Sequence, residues 1–327
     1  MKPKVLVTQR ISQEALDALA ARFDVESNQK DAPVSPAQLL RKLKNKDAAI
    51  TLITDVISEK ILAGVPRLRI VSNVAVGYNN FDVAAATRRG VMLTNTPGAM
   101  DDTTADFAWS LILATARRLT EADRLVRSGK WARWRFMDFL GRDIHGKTLG
   151  ICGFGRIGRG VARRAAGFGM RVLYSGPRRA PVDVERELNA TFTDKTTLLR
   201  ESDVVSLHLP LFAETRHYIG ASELGLMKRT AILVNTARGP VVDEKALVKA
   251  LKAGVITAAG LDVYENEPAL APGLRMLPNT VLAPHMASAS VETRLRMCNM
   301  AVANCVAGLT GERPPNLLNP EAFDQQK

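Results

Sequence analysis

Short apolar runs alternate with amphipathic stretches along nearly the whole chain. Up to residue 98 the runs at 5–7, 23–26, 48–53, 70–74 and 91–94 read as strands, while 13–21, 36–44, 58–63 and 82–89 space their apolar residues as helices do. The alternation resumes with strand-like runs at 148–152, 171–174, 204–209, 231–235, 258–261 and 280–283, and helical spacing at 157–168, 196–200 and 244–253. Strands that alternate with helices predict parallel sheets covered on both faces, hence an α/β protein of two doubly wound domains. A long helix at 101–118, after Thr96-Pro97-Gly98, carries the chain from one to the other. The last helix, 290–309, stopped by Pro314 and Pro315, is expected on the first domain, because the second already has its strands by then. The domains are drawn as 1–98 plus 289–327 and as 99–288.

In such sheets ligands sit beyond the carboxyl ends of strands. The first domain lacks a phosphate-binding glycine fingerprint, so its candidate segments are Leu52-Ile53-Thr54 and 74–78. The second has one: strand 148–152 runs into Gly153, Gly155 and Gly158, spaced G-x-G-x-x-G at the start of an amphipathic helix. Gly153 permits the tight turn, Gly155 the approach of backbone to a pyrophosphate, and Gly158 close packing of helix on strand, while the helix start offers free N–H groups. This predicts dinucleotide binding; the alternative is a structural strand-to-helix turn. Chains that prefer NAD carry an acid about 20 residues beyond the glycines, on the ribose 2′-hydroxyl. Here that strand ends in Tyr174-Ser175-Gly176-Pro177-Arg178-Arg179, with no acid. The Ser175 hydroxyl and the guanidiniums of Arg178 and Arg179 suit a 2′-phosphate, so NADP(H) is expected to be preferred, with NAD(H) left open.

With 327 residues, 46% of them hydrophobic, the chain can fill two cores. Its net charge of +12 invites a nucleic-acid partner. The Arg pairs at 88–89, 117–118, 163–164 and 178–179 are scattered, however, without interleaved aromatics. A solvated surface that draws in anionic metabolites is the better reading, and no nucleic acid is expected. No apolar run nears the roughly 20 residues that span a bilayer, so no membrane partner is expected. The opening residues show no signal-peptide pattern. Cys152, Cys298 and Cys305 have neither metal spacing nor a disulfide framework, which points to the cytoplasm and to no metal. The connection 128–145 holds Trp131, Trp134, Phe136 and Phe139 with Arg133 and Arg135 between them, which suggests burial against its own domain or a second subunit.

A dinucleotide enzyme moves hydride, and a carbonyl receiving it needs a proton and a fixed orientation. His285 follows strand 280–283 and His208 ends strand 204–209, so spacing leaves both as candidates; His145 and His217 fall in surface connections. Arg238, in Asn235-Thr236-Ala237-Arg238-Gly239-Pro240, also follows a strand, where a guanidinium suits a carboxylate. Among Asp262, Glu265 and Glu267, in one loop, the residues alone choose none.

Several segments, taken in order and spacing, carry a resemblance. They are Asn73-Val74-Ala75-Val76-Gly77-Tyr78-Asn79-Asn80, Asp102-Thr103-Thr104-Ala105-Asp106, the glycine turn, Asn235-Thr236-Ala237-Arg238-Gly239, Gly260-Leu261-Asp262-Val263-Tyr264 through Glu267-Pro268, and Ala283-Pro284-His285. The chain resembles the D-isomer-specific 2-hydroxyacid dehydrogenases over essentially its full length, and among them most the glyoxylate and hydroxypyruvate reductases. The resemblance implies two Rossmann-like domains, a flavodoxin-like substrate domain and an NAD(P)-binding domain, with a cleft between them.

It implies further that Arg238 grips the carboxylate and carbonyl oxygen of a small 2-oxo acid, that His285 protonates that oxygen, and that Glu267 bonds the imidazole and orients it. An adjacent carboxylate favours an imidazolium. Asp262 would meet the nicotinamide carboxamide, and N–H groups around Val76 and Gly77 the substrate carboxylate, with Leu52 and Ser288 completing the pocket. Thr104, Arg156, Ile157, His208, Pro210, Thr215, Thr236 and Ala237 would join the glycines on the cofactor. A tryptophan of the aromatic loop, best matched by Trp134, would reach the partner's active site in a homodimer. One departure stands out: the family usually reads Ile-Gly-Ser-Ala after the histidine, where this chain has Met286-Ala287-Ser288-Ala289. Two alternatives remain, a reductase of 2-ketogluconate-type sugar acids and a nucleotide-sensing, co-repressor-like binding protein.

Overall fold

The computed structural model describes residues 2–30 and 32–326. The chain divides into two compact units, 1–100 with 289–327, and 101–288. In the first, β1 (Lys4–Val7), α1 (Gln13–Ala20), β2 (Asp24–Ser27), α2 (Pro36–Leu43), β3 (Ala48–Thr51), α3 (Glu59–Ala63), β4 (Ile70–Asn73), α4 (Val83–Arg88) and β5 (Met92–Thr94) follow one another. The strands are all parallel in the order β2-β1-β3-β4-β5, the flavodoxin-like arrangement, whose reversal lies between β1 and β3. Helix starts are fixed by side chains: Ser35 and Gln38 form a reciprocal cap on α2, and Asp82 accepts from the Ala85 N–H on α4.

The second unit opens with α5 (Asp101–Ala116) and α6 (Leu119–Arg127). It continues through β6 (Thr148–Cys152), α7 (Arg156–Ala165), β7 (Arg171–Ser175), α8 (Val182–Glu187), β8 (Ala190–Phe192), α9 (Lys195–Glu201), β9 (Val204–Leu207) and α10 (Ala221–Leu226). It closes with β10 (Ile232–Asn235), α11 (Glu244–Lys252), β11 (Ala258–Leu261) and β12 (Thr280–Leu282). Its seven parallel strands run β12-β11-β10-β9-β6-β7-β8, the doubly wound dinucleotide order, with the reversal between β6 and β9. One face is packed by residues such as Leu198, Leu224, Leu247 and Leu251, the other by Trp109, Ile112, Val161 and Met170. On the second face α5 lies against the sheet and against α7, where Trp109 donates its indole N–H to the Val161 carbonyl at 3.0 Å.

The chain then returns to the first unit as α12 (Val291–Thr310), capped by Ser290, and α13 (Pro320–Asp324). Met297, Ala301 and Cys305 of α12 pack on the sheet face formed by Val5, Ile50 and Ile70. The single helix expected over 101–118 is in fact broken: Arg118 takes a left-handed φ of 54° and the chain starts afresh as α6. Sequence spacing misses α6, α8 and α10 because α8 and α10 bury one residue each and α6 none, so no buried apolar stripe marks them.

The free edge of β5 is closed by the tail. Asn319, buried, accepts from the Leu93 N–H at 2.8 Å and donates to the Val91 carbonyl and the Thr87 hydroxyl. Asn319→Ala strands these buried partners and should cost about 3 kcal/mol. A lower urea midpoint at unchanged m-value is the expected reading, and an unmoved midpoint would count against it.

Candidate active site

The sequence-predicted site residues divide between the units. Leu52, Val76 and Gly77 lie in the first; Arg238, Glu267, His285, Ser288, Trp134 and the cofactor set lie in the second. Apart from Thr104 on α5 and Trp134, whose connection leads into the amino end of β6, the residues of each group stand on or beside loops at the carboxyl ends of their own sheet.

In the second unit the glycine turn joins β6 to α7. Gly153 adopts φ 93°, and a Cβ there would stand 2.6 Å from the His208 carbonyl oxygen, so only glycine lets the ends of β6 and β9 meet at the strand-order reversal. A Cβ on Gly158 would strike the Gly153 carbonyl, whereas one on Gly155 would face open space. The first turn of α7, Arg156 and Ile157 included, therefore leaves its N–H groups open beside an accessible glycine. Two further cofactor candidates, Thr104 and Thr236, carry buried hydroxyls with no hydrogen-bond partner among the described residues. Such orphaned groups are uncommon and suit a bound polar ligand. The open helix start, the glycine that a phosphate can approach and these hydroxyls fit a dinucleotide.

His208 and His285 part company here. The His208 ring bonds the Ser206 hydroxyl at 2.8 Å, and burial pushes its pKa down to about 4, so it is a neutral imidazole at ordinary pH. His285 instead bonds Glu267, Nδ1 to Oε2, at 2.7 Å, which leaves Nε2 as its free ring nitrogen. Burial alone would raise the Glu267 carboxyl. Its bonds from His285 and from the Tyr264 N–H outweigh that and hold it below the ordinary carboxylate range.

The three acids of the loop have separate partners. Glu265 pairs with His217 at 2.7 Å and accepts from the Glu244 N–H at 3.1 Å. Asp262, sealed from solvent, accepts from the N–H groups of Met286 and Ala287 at 2.7 and 2.8 Å. Burial raises its pKa despite those bonds. They hold the strand-to-loop turn in which His285 takes a left-handed φ of 55°.

Arg238 is brought to the same loop by crowding. A Cβ on Gly239 would lie 1.8 Å from the Tyr264 carbonyl oxygen, so the turn after β10 touches the turn after β11 backbone to backbone. The Asn235 amide closes that turn, accepting from the Ala237 N–H and donating to the Arg238 carbonyl, both at 3.0 Å. Burial lowers the Arg238 pKa, and the Glu267 charge partly restores it. Pro268, Leu270, Leu282 and Pro284 line a hollow of about 340 Å³ beside the His285–Glu267 pair. A larger one, about 600 Å³, opens at the amino ends of β10 to β12 and touches none of the predicted site residues.

Other predicted cofactor residues sit less simply. Thr215 donates its hydroxyl to the Pro210 carbonyl at 2.7 Å and shapes the loop after β9. Ser175 is nearly fully buried, its hydroxyl 3.5 Å from that of Tyr218. Arg178 is exposed, and Arg179 is committed to Glu185, an acid on α8 that the sequence reading did not consider. Trp134 is 73% exposed, edge-on to Phe136, so the aromatic loop is not buried against its own domain.

In the first unit a polar network at the β1–β3 reversal shapes two loops. Asp55, buried, accepts from the Thr8 hydroxyl at 2.6 Å and the Leu52 N–H at 2.9 Å. Asn80 donates to the carbonyls of Leu52 and Asp55, and Asn73 donates to the Gly77 carbonyl and to Asn80. The Val76 carbonyl takes the Asn95 amide at 2.7 Å. The carbonyls of Val76 and Gly77 are thus occupied, while among the described residues their N–H groups have no acceptor, a polarity suited to an anion.

Residues 109–287 match the family described as D-isomer specific 2-hydroxyacid dehydrogenase, NAD binding domain. A glyoxylate reductase of Korarchaeum cryptofilum (strain OPF8) is 52% identical, over 98% of this chain and 97% of that one. Among solved structures, a protein of Thermus thermophilus superposes with a TM-score of 0.90 at 42% identity, covering 96% of this chain and 99% of its own. An NADPH-dependent glyoxylate/hydroxypyruvate reductase of Sinorhizobium meliloti, solved with NADP and malonate, gives 0.87 at 31% identity, covering 99% and 98%.

If the Gly239 contact sets the distance from Arg238 to Glu267, Gly239→Ala must push the two turns apart. Turnover should fall about 10²-fold, the scale of a misplacement near 1 Å. Steady-state rates at saturating cofactor test this, and near-wild-type turnover would refute it.

Proposed function

The chain belongs to the D-isomer specific 2-hydroxyacid dehydrogenases, and we propose that it reduces small 2-oxo acids, glyoxylate and hydroxypyruvate foremost, with NADPH. The observation that carries this reading is the 2.7 Å bond between His285 and Glu267, in a loop that meets the Arg238 turn. The similarity to glyoxylate reductases supports the substrate class.

Bound NADPH supplies the hydride that reaches carbon 2. Arg238 holds the substrate's carboxylate and carbonyl oxygen, its charge stabilising the oxygen as negative charge builds there. His285 gives its Nε2 proton to that oxygen, and the product is a 2-hydroxy acid beside a neutral imidazole. Glu267 fixes the ring through Nδ1 and balances its charge before transfer. The open N–H groups of Val76 and Gly77 serve a carboxylate, Leu52 and Ser288 border the substrate, and Thr104, Thr236, Ala237 and the glycine turn take the cofactor. Asp262, sealed by the His285 loop that it holds, reaches a carboxamide with its remaining lone pairs once the cofactor has parted that loop. Residues 1–98 plus 289–327 act as the substrate domain and 99–288 as the dinucleotide domain.

The working form is a homodimer. Residues 117–143 contain no buried residue, yet Leu119, Val126, Trp131, Trp134, Phe136, Met137 and Leu140 are each more than half exposed. A stretch this apolar calls for a partner, and Trp134 extends to a second copy's substrate. No helix among the described residues is long and apolar enough to cross a membrane.

Following NADPH absorbance with glyoxylate, hydroxypyruvate and 2-ketogluconate should rank the first two ahead of the sugar acid. His285→Gln should cut turnover about 10²- to 10⁴-fold with cofactor affinity held. Tight cofactor binding with no oxidation by any 2-oxo acid would favour a nucleotide-sensing role instead. Sedimentation should give a dimer for the wild type and a monomer for a chain carrying Leu119→Ser, Trp134→Ser and Phe136→Ser; a monomeric wild type would end the dimer reading.

A further inference from the structure

The two arginines after β7 look equivalent in sequence but occupy different electrostatic positions. Tyr174, the last large side chain of β7, is fully buried and stacks on Phe154 of the glycine turn, ring centroids 3.9 Å apart. Its hydroxyl accepts from the Ala180 N–H at 2.8 Å and donates to Glu185 Oε1 at 2.5 Å. Glu185, nearly buried on α8, then takes Arg179 side-on: Nε lies 3.0 and 3.2 Å from its two oxygens and Nη2 2.8 Å from Oε2. Burial and the Glu185 bond raise the Tyr174 hydroxyl, so it stays protonated. Arg179, and then Tyr174, lower the Glu185 carboxyl, so it stays ionised. Arg178, one residue earlier, is exposed and has no acceptor among the described residues.

Resting on the NADPH reading, we propose that a 2′-phosphate is selected by Arg178 alone, and that Glu185 is a positioning residue that turns Arg179 into a strut of the loop. Three physical points lead there. The Nε–Nη2 edge is one of the two forks by which a guanidinium grips an anion with two parallel bonds, and on Arg179 Glu185 already fills it. The Glu185 charge cancels that of Arg179, so a phosphate approaching the pair meets almost no net field and a carboxylate that repels it at short range. The Tyr174–Glu185–Arg179 chain also closes the turn 175–180 from below, so the loop is ordered before any ligand arrives and Arg178 projects from a fixed frame. Because Tyr174 also stacks on Phe154, the same frame holds the glycine turn in register with the loop.

The test uses the full chain and calorimetric titration of 2′,5′-ADP against 5′-AMP, which differ only in the 2′-phosphate. Wild type should bind 2′,5′-ADP the more tightly, and Arg178→Ala should weaken it about 10- to 100-fold, leaving 5′-AMP unchanged. Arg179→Ala should weaken both probes by a similar, smaller factor and lower the melting temperature, as loss of a strut does. Glu185→Gln breaks the same strut but releases the second guanidinium, so it should weaken 5′-AMP as Arg179→Ala does while raising the preference for 2′,5′-ADP over 5′-AMP severalfold. The proposal is overturned if Arg179→Ala removes the discrimination as fully as Arg178→Ala does, or if Glu185→Gln weakens 2′,5′-ADP selectively. A wild type that does not distinguish the two probes would instead defeat the NADPH reading itself.

Discussion

Asp262 is sealed from solvent, an arrangement that is costly for a carboxylate unless donors meet its oxygens. Met286 and Ala287 provide two backbone N–H groups, and in doing so they fold the chain after β12 back over the end of β11. The histidine just before them is driven into a left-handed conformation that non-glycine residues rarely hold, and it faces Glu267 as a result. The acid–imidazole bond is thus downstream of a backbone constraint. The neighbouring turn obeys a constraint of the same kind, since its guanidinium approaches only because Gly239 has no side chain to keep Tyr264 away. His285, Glu267 and Arg238 thus stand on three loops that backbone contacts bring together.

This explains what could be read from the residues and what could not. Alternating periodicity determines a parallel sheet, and a glycine spacing that follows a strand and opens a helix has one mechanical use, so the fold and the dinucleotide turn were legible. The choice among Asp262, Glu265 and Glu267 was not, because it depends on which backbone N–H groups and which imidazole each meets, and those come from loops about 20 to 50 residues away in sequence. Position alone likewise left His208 beside His285. Its neutrality follows from burial next to the glycine turn, a property of the folded chain.

The Arg178–Arg179 pair shows the same limit from the side of charge. A sequence displays two cations where a phosphate would sit, but their worth depends on a carboxylate six residues further on, in a helix too short to announce itself. The first unit makes the complementary point with no charge at all. The open N–H groups of Val76 and Gly77 lie among loops whose carbonyls are occupied by the amides of Asn73, Asn80 and Asn95. Amide side chains at such places look like ordinary loop residues until their bonds are traced.

The first unit is also discontinuous, with α12 supplying one wall of its core from the far end of the chain. As the polypeptide leaves the ribosome, Val5, Ile50 and Ile70 must wait bare until the whole of the second unit has emerged. The dinucleotide-type sheet can therefore mature first, while the nascent flavodoxin-like sheet stays prone to aggregation until α12 has emerged.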